Sequence, residues 1–202
     1  YYMGYKNQLV LTGALDDVGS PIRENSGKSY RTGIELESVY KPSNKLNISA
    51  NISLSENKNV DYKTNYNGLI TNWGDTDISF SPNFISSAGI QFSSSQDLTF
   101  ILLNKFVGNQ YMSNTESNIS KLSSYSTTDL NILYTIKNSA YFSEIIVTAM
   151  INNIFNKEYV SNGYYYTYDD TWSDPNLIIT IEGTGYYPQA KRNFLLGVTF
   201  KL

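Results

Sequence analysis

The feature that most narrows what this chain can fold into is its last stretch, Tyr186-Tyr-Pro-Gln-Ala-Lys-Arg-Asn-Phe-Leu-Leu-Gly-Val-Thr-Phe-Lys-Leu202. Counted back from the C-terminus, Leu202, Phe200, Val198, Leu196 and Phe194 occupy every second position. Successive side chains of a strand point to opposite faces, so these five form one unbroken apolar face. Lys201, Thr199, Gly197 and Leu195 fall on the other. The last residues of a soluble domain commonly fray. A strand that alternates to the final residue suits a membrane β-barrel, whose last strand must pair to close the wall.

The same rhythm recurs upstream. Leu46, Ile48, Ala50, Ile52 and Leu54 alternate with Asn47, Ser49, Asn51 and Ser53. Residues 31–40 alternate too, Ile34 and Leu36 against Glu35 and Glu37, and Lys41-Pro-Ser-Asn-Lys45 supplies a tight turn between the two strands. Further strands are expected over 79–93, 98–107, 128–136 and 144–155, with a first one near 5–13. With the terminal strand this gives about eight. The connections alternate in length. Those near Pro42, Gln96 and Asn138 are short, whereas 16–27, 56–77, 108–124 and 156–189 are long. Long loops at one end and short turns at the other mark an outer-membrane barrel with its long loops outside the cell. The C-terminus sits at the short-turn end, which is then periplasmic.

Composition removes most other classes. No apolar run approaches the ~20 residues of a transmembrane helix, and charged residues are 16%, below the roughly 25% of soluble domains. The absence of cysteine excludes disulfides, and the absence of histidine removes the commonest general base and metal ligand. No G-x-S-x-G arrangement accompanies the serines, so no catalytic residue is assigned and no enzyme is expected. A net charge of -3 argues against a nucleic-acid partner. Asp169, Asp170 and Asp174, and separately Asp75 and Asp77, offer hard oxygen ligands for a loop Ca²⁺. Such residues are more often turn formers, so neither a metal site nor a cofactor is assigned. The chain opens on Tyr1 without an export signal, which leads us to expect residues upstream.

Tyrosine, present eighteen times, crowds the long connections together with tryptophan. The plain reading is a girdle at the membrane interface plus packing between loops. The sharper reading is a ligand surface, since rigid aromatic side chains give contact area at low entropic cost. Its candidates are Tyr66, Trp73, Tyr111, Tyr164, Tyr165, Tyr166 and Trp172.

Five segments carry a resemblance. They are Tyr5-Lys-Asn-Gln-Leu-Val-Leu-Thr-Gly13, Gly27-Lys-Ser-Tyr-Arg-Thr-Gly-Ile-Glu35, Val107-Gly-Asn-Gln-Tyr-Met-Ser-Asn-Thr115, Asn152-Asn-Ile-Phe-Asn-Lys-Glu-Tyr159 and Tyr187-Pro-Gln-Ala-Lys-Arg-Asn-Phe194. In this order they resemble the C-terminal barrel of TonB-dependent outer-membrane receptors. Leu196, Val198, Phe200 and Leu202 are similar to the signal that outer-membrane proteins present to the barrel-assembly machinery, with leucine where an aromatic usually ends it. The resemblance implies an all-β transmembrane antiparallel barrel, of which residues 1–202 supply about the last eight of 22 strands as one incomplete domain. The plug and the TonB-contacting box then lie outside these residues. It further implies a Gram-negative outer membrane and TonB-energised uptake of a scarce nutrient, with an iron complex such as a ferric siderophore favoured. The partners implied are the lipid bilayer, the TonB complex through the N-terminal part, a small-molecule ligand and, in some receptors, a surface lipoprotein.

Two other architectures compete. A complete eight-stranded barrel serving as anchor or adhesin would fill its interior with side chains, and Asn47, Ser49, Asn51 and Ser53 would underfill it. A soluble β-sandwich binding module would place charges on its outward faces, which the 46–54 ladder lacks.

Overall fold

The computed structural model describes residues 1–66, 69–137, 141–170, 172–174, 177 and 179–202. The side chains of Gly13, Ala14, Tyr66 and Leu69 are also outside the description, as is the short connection at Asn138. The strands, in chain order, are β1 (Tyr2–Lys6), β2 (Leu9–Leu15), β3 (Pro21–Asn25), β4 (Lys28–Ser43), β5 (Leu46–Tyr66), β6 (Leu69–Asp77), β7 (Phe84–Ser93) and β8 (Leu98–Val107). They continue as β9 (Gln110–Tyr111), β10 (Lys121–Leu122), β11 (Tyr125–Lys137), β12 (Glu144–Asn152), β13 (Val160–Asp170), β14 (Ile179–Pro188) and β15 (Asn193–Lys201).

Eight of these form an antiparallel wall in the order β1-β4-β5-β7-β8-β11-β12-β15. The wall is a single open sheet. Among the described residues β1 does not pair with β15, so the eight strands do not close into a small barrel, and no second sheet packs across the wall as in a sandwich.

Register explains the patterning. Residues opposite one another in an antiparallel ladder share a face, and Phe200 faces Ile145, which faces Ile136. Val198 faces Val147 and then Tyr134, while Leu196 faces Ala149, Ile132 and Phe100 in turn. The row continues through Phe92 to Leu46, and its neighbour runs Leu102, Ile90, Ile48 and Tyr40. This face is largely apolar and open, Leu196 being 76% exposed, with Ser38, Ser86, Asn104 and Thr128 as polar members near its long-connection half. A contiguous apolar surface of this extent on a water-soluble protein would aggregate; against lipid it is the outer wall of a barrel. Tyr30, Phe84 and Phe106 stand near its long-connection end and Tyr40, Phe92 and Phe200 near its short-turn end, with aliphatic residues between. Two aromatic belts with an aliphatic middle match the two interfaces of a bilayer. The opposite face carries Glu35, Ser53, Asn51, Ser87, Lys105 and Asp129, as a wet interior does.

Several expected boundaries move. The first wall strand is β1, not 5–13, because Asn7 takes a positive φ of 57° and turns the chain, leaving β2 to pair with β3 above the wall. The strand expected from 79 begins at Phe84. Phe80 has φ 53° and Pro82 has no N–H for a ladder. β12 stops at Asn152, since Asn153 has φ 51° and its side chain caps the turn, accepting from Lys157 N and donating to Lys157 O. The long connections are not structureless. They hold the hairpins β2–β3 and β13–β14 and the short pair β9–β10, while β5 runs past the wall and pairs there with β6. A 30-residue link without pairing would leave many backbone groups unpaired, and the hairpins satisfy them.

Candidate functional site

The three hairpins and the β5–β6 extension pack together at the long-connection end, on the polar side of the wall. Arg31, from the polar face, places Nη1 3.0 Å from both Asn57 Oδ1 and Ser81 Oγ, which ties the segment 78–83 to that side. The tie-point of the assembly is Asn114. Its Oδ1 accepts from Ser79 N at 2.9 Å and from Asn59 Nδ2 at 3.4 Å, and its Nδ2 donates to Leu11 O at 2.7 Å. Ser79 Oγ donates to the same Leu11 carbonyl at 2.6 Å. One amide thus joins β2, β5, the 78–83 segment and the β9–β10 connection. Lys58 adds an ionic tie, with Nζ 2.8 Å from Asp77 and 3.4 Å from Glu116.

The small hydrophobic core of the chain lies here, not in the wall. Met112 (0% exposed), Leu122 and Tyr165 (7%) pack together, with Phe80 and Val160 against them. Gly163 sits opposite Tyr186 where β13 crosses this core. A Cβ there would stand 2.8 Å from Met112 Sδ and closer still to the Gly185 carbonyl oxygen. Because backbone cannot give way as a flexible side chain can, Gly163→Ala is expected to destabilise the β13–β14 hairpin by about 1–3 kcal/mol. Protease mapping of the folded variant, which should show new cleavage within 160–188, checks this.

β13 carries tyrosine at three alternate positions, 164, 166 and 168. Tyr164 and Tyr166 stack at 6.2 Å, Tyr166 and Tyr168 at 6.4 Å, and Tyr187 of β14 lies 6.0 Å from Tyr164. The ladder exists because glycine stands opposite two of its members, Gly185 across from Tyr164 and Gly183 across from Tyr166, so each ring covers a strand position without a side chain. Tyr165 points the other way, into the core, and donates to Glu182 Oε1 at 2.5 Å. Burial, then this carboxylate, pushes its phenol up to about 12. Tyr62, buried and bonded to Glu24 of β3, is raised for the same two reasons. The unfolded chain ionises these phenols near 10. The loop assembly should therefore be fully stable below about pH 10 and lose stability as pH rises from there through about 12. Following proteolysis of the loops against ultraviolet tyrosinate absorbance checks the sign.

The sequence candidates divide. Tyr164 and Tyr166 stand in the ladder, Tyr165 in the core, and Tyr111 on β9, where its carbonyl accepts from Phe80 N at 2.8 Å and Lys121 Nζ lies 5.7 Å from its ring. Trp73 is held apart on β6 by Thr64, and Trp172 projects from the β13–β14 hairpin at 78% exposure. The Tyr66 side chain lies outside the described residues. The acidic residues weighed for Ca²⁺ are engaged locally. Asp75 accepts from Asp61 N, Asp77 pairs with Lys58, Asp169 accepts from Thr180, and Asp170 caps Trp172 and Ser173.

What residue reading missed is a cleft of about 460 Å³ between two hairpins. Leu11, Leu15 and Pro21 form one side, Ser161, Asn162 and Tyr187 the other, and Phe80 and Gln110 the floor. The two sides spring from opposite ends of the wall, the β1–β4 and β12–β15 connections, and β2 lies against β13. The hairpins therefore meet across the intervening strands. The alternation of Tyr164, Tyr166 and Tyr168 was a readable signal for the ladder; nothing local signals the cleft.

The chain is similar over most of its length to solved receptors and a transporter. The siderophore receptor PiuA from Acinetobacter baumannii aligns at TM-score 0.67 and 18% identity, over 98% of this chain and 25% of that one. The ferric yersiniabactin uptake receptor FyuA from Yersinia pestis aligns at 0.64 and 16%, over 98% and 25%, and the copper transporter OprC at 0.63 and 16%, over 100% and 28%. At these identities the likeness is one of fold, and the chain spans about a quarter of the length of these structures. No curated protein matches it. Residues 1–154 match the family model described as TonB dependent receptor-like, beta-barrel. The antiparallel wall with one apolar and one polar face accords with that description, and the chain belongs to the family: a segment of a TonB-dependent receptor β-barrel.

Proposed function

We propose that residues 1–202 are the C-terminal portion, a single incomplete domain, of an outer-membrane receptor that takes up a ferric siderophore or similar iron complex with energy delivered through TonB. The carrying observation is the loop assembly, a cross-braced roof enclosing a cleft within the size range of small-molecule sites. It stands on the polar side of a wall built for lipid. Iron is favoured because PiuA is named as a siderophore receptor and FyuA as a ferric yersiniabactin uptake receptor. In this reading the long connections face the medium and Leu202 faces the periplasm. The barrel-assembly machinery reads Leu196, Val198, Phe200 and Leu202, and the TonB complex acts through the part of the receptor outside this chain. Tyr164 and Tyr166 of β13, with Tyr111 and Trp172, meet the ligand.

The test is radio-iron uptake by the host with the receptor gene intact or deleted, each with and without functional TonB. Uptake of a ferric siderophore that needs both genes is expected. Uptake indifferent to TonB sinks the transport reading. Copper accumulation that falls on deletion, with iron unchanged, replaces the cargo, as the likeness to a copper transporter allows.

A further inference from the structure

The lining of the cleft restricts what it can hold. Leucine, proline and phenylalanine line it together with the amides of Gln110 and Asn162, the hydroxyl of Ser161 and the phenol of Tyr187. None of its lining residues carries a charge at neutral pH. Several charged groups of the assembly are engaged elsewhere, Lys58 on Asp77 and Glu116, Arg31 on Asn57 and Ser81, and Glu24 on Tyr62, while Asp16, which caps its own turn, and Asp17 lie beside the lining without forming part of it. A formal charge brought against this lining would give up part of its hydration and meet no counter-charge among the lining residues.

The cleft is also built before a ligand arrives. One side hangs on Leu11, whose carbonyl accepts from both Asn114 and Ser79. The other is held by Tyr165 of β13 in the core with Met112. The floor joins the two, since Phe80 N donates to Tyr111 O at 2.8 Å and Gln110 is the next residue along. Sides fixed to a common floor lose little entropy on binding, so the selectivity of the lining is expressed rather than relaxed away.

We propose that this cleft binds an uncharged, partly apolar arm of the receptor's ligand, an aryl or short acyl group bearing an amide or hydroxyl, and turns away groups that carry a formal charge. The charged or metal-bearing part of the ligand is then held outside it. The proposal rests on the receptor reading only in supposing that the arm belongs to a transported molecule.

The experiment compares two probes of one shape, benzamide and benzoate, by saturation-transfer NMR on the full-length receptor in lipid nanodiscs. Ser161→Trp fills the cleft and serves as the blank for partition into the bilayer. Leu15→Lys places a cation in its side. Heat-modifiable gel mobility shows which variants are folded. In the unaltered receptor, benzamide should give a signal at least tenfold above benzoate, and Ser161→Trp should abolish it. Leu15→Lys should reverse the preference. Equal signals from the two probes, or a benzamide signal that survives Ser161→Trp, overturns the proposal. If Ser161→Trp does not fold, an unreversed preference in Leu15→Lys overturns it instead. The readouts separate the two readings. TonB-dependent iron uptake without benzamide selectivity removes the cleft and keeps the receptor; selectivity without uptake does the opposite.

Discussion

Ile132→Arg will destabilise the folded wall by about 2–4 kcal/mol, whereas Thr148→Arg will change it by no more than about 0.5 kcal/mol. Both sit mid-strand, on β11 and β12. The register separates them. Ile132 stands in line with Ala149 on one side and Phe100 on the other, in the aliphatic middle of the lipid face. An arginine there must snorkel through the bilayer core or stay in it. Thr148 faces Leu133 and Gly197 on the opposite face. A Cβ at Gly197 would meet nothing within 4 Å, so there is room beside it for a long polar side chain. Urea unfolding of the full-length receptor refolded into vesicles gives both numbers. Similar losses in the two variants would mean that the faces have been assigned wrongly.

Asn114→Ala will loosen the loop assembly by about 2–3 kcal/mol and leave the wall intact. The side chain accepts from Ser79 N, accepts from the fully buried Asn59 and donates to Leu11 O, and alanine can do none of these. The stranded partners are buried, so water cannot replace the amide without opening the cluster. Leu11 O keeps its bond from Ser79 Oγ, which holds the loss below that of three independent deletions. Amide hydrogen exchange should accelerate in β2 and over 78–83, while the amides of β7, β8, β11 and β12 and the heat-modifiable mobility stay as they were. Faster exchange throughout the wall would show that loops and wall unfold as one unit. The cleft should suffer with its floor, and benzamide binding should weaken in this variant too.

These two positions mark the range of what could be read from the chain. The wall was largely legible. Ile48, Ala50 and Ile52 against Asn47, Ser49 and Asn51 state a lipid face and a wet face by period alone, and β8 has the expected bounds of Leu98–Val107. Strand ends were less legible, because they depend on single left-handed residues such as Asn7, Phe80 and Asn153, of which asparagine alone favours that region. The loops misled most. Residues 156–189 read as a structureless link, and they form a hairpin whose stacked tyrosines need glycines across the strand, a pairing that only register discloses. Of the aromatic candidates, Tyr164, Tyr165 and Tyr166 are consecutive and yet divide between an exposed ladder and a buried core, as alternation requires.

The sequence by itself determined most of the wall, the two faces of its cleanly alternating strands, the alternation of short and long connections and the family. Each of these is written in local period and spacing, because a strand in a bilayer must show lipid an apolar side chain at every second position. The tertiary structure alone decided the site. It brought Leu11 to Asn114 and β2 to β13 across the intervening strands of the wall, and so made a cleft from hairpins that are far apart in the chain. Contacts of that kind are set by how the wall carries its loops and by which buried amide finds which carbonyl, and neither leaves a mark on the residues nearby.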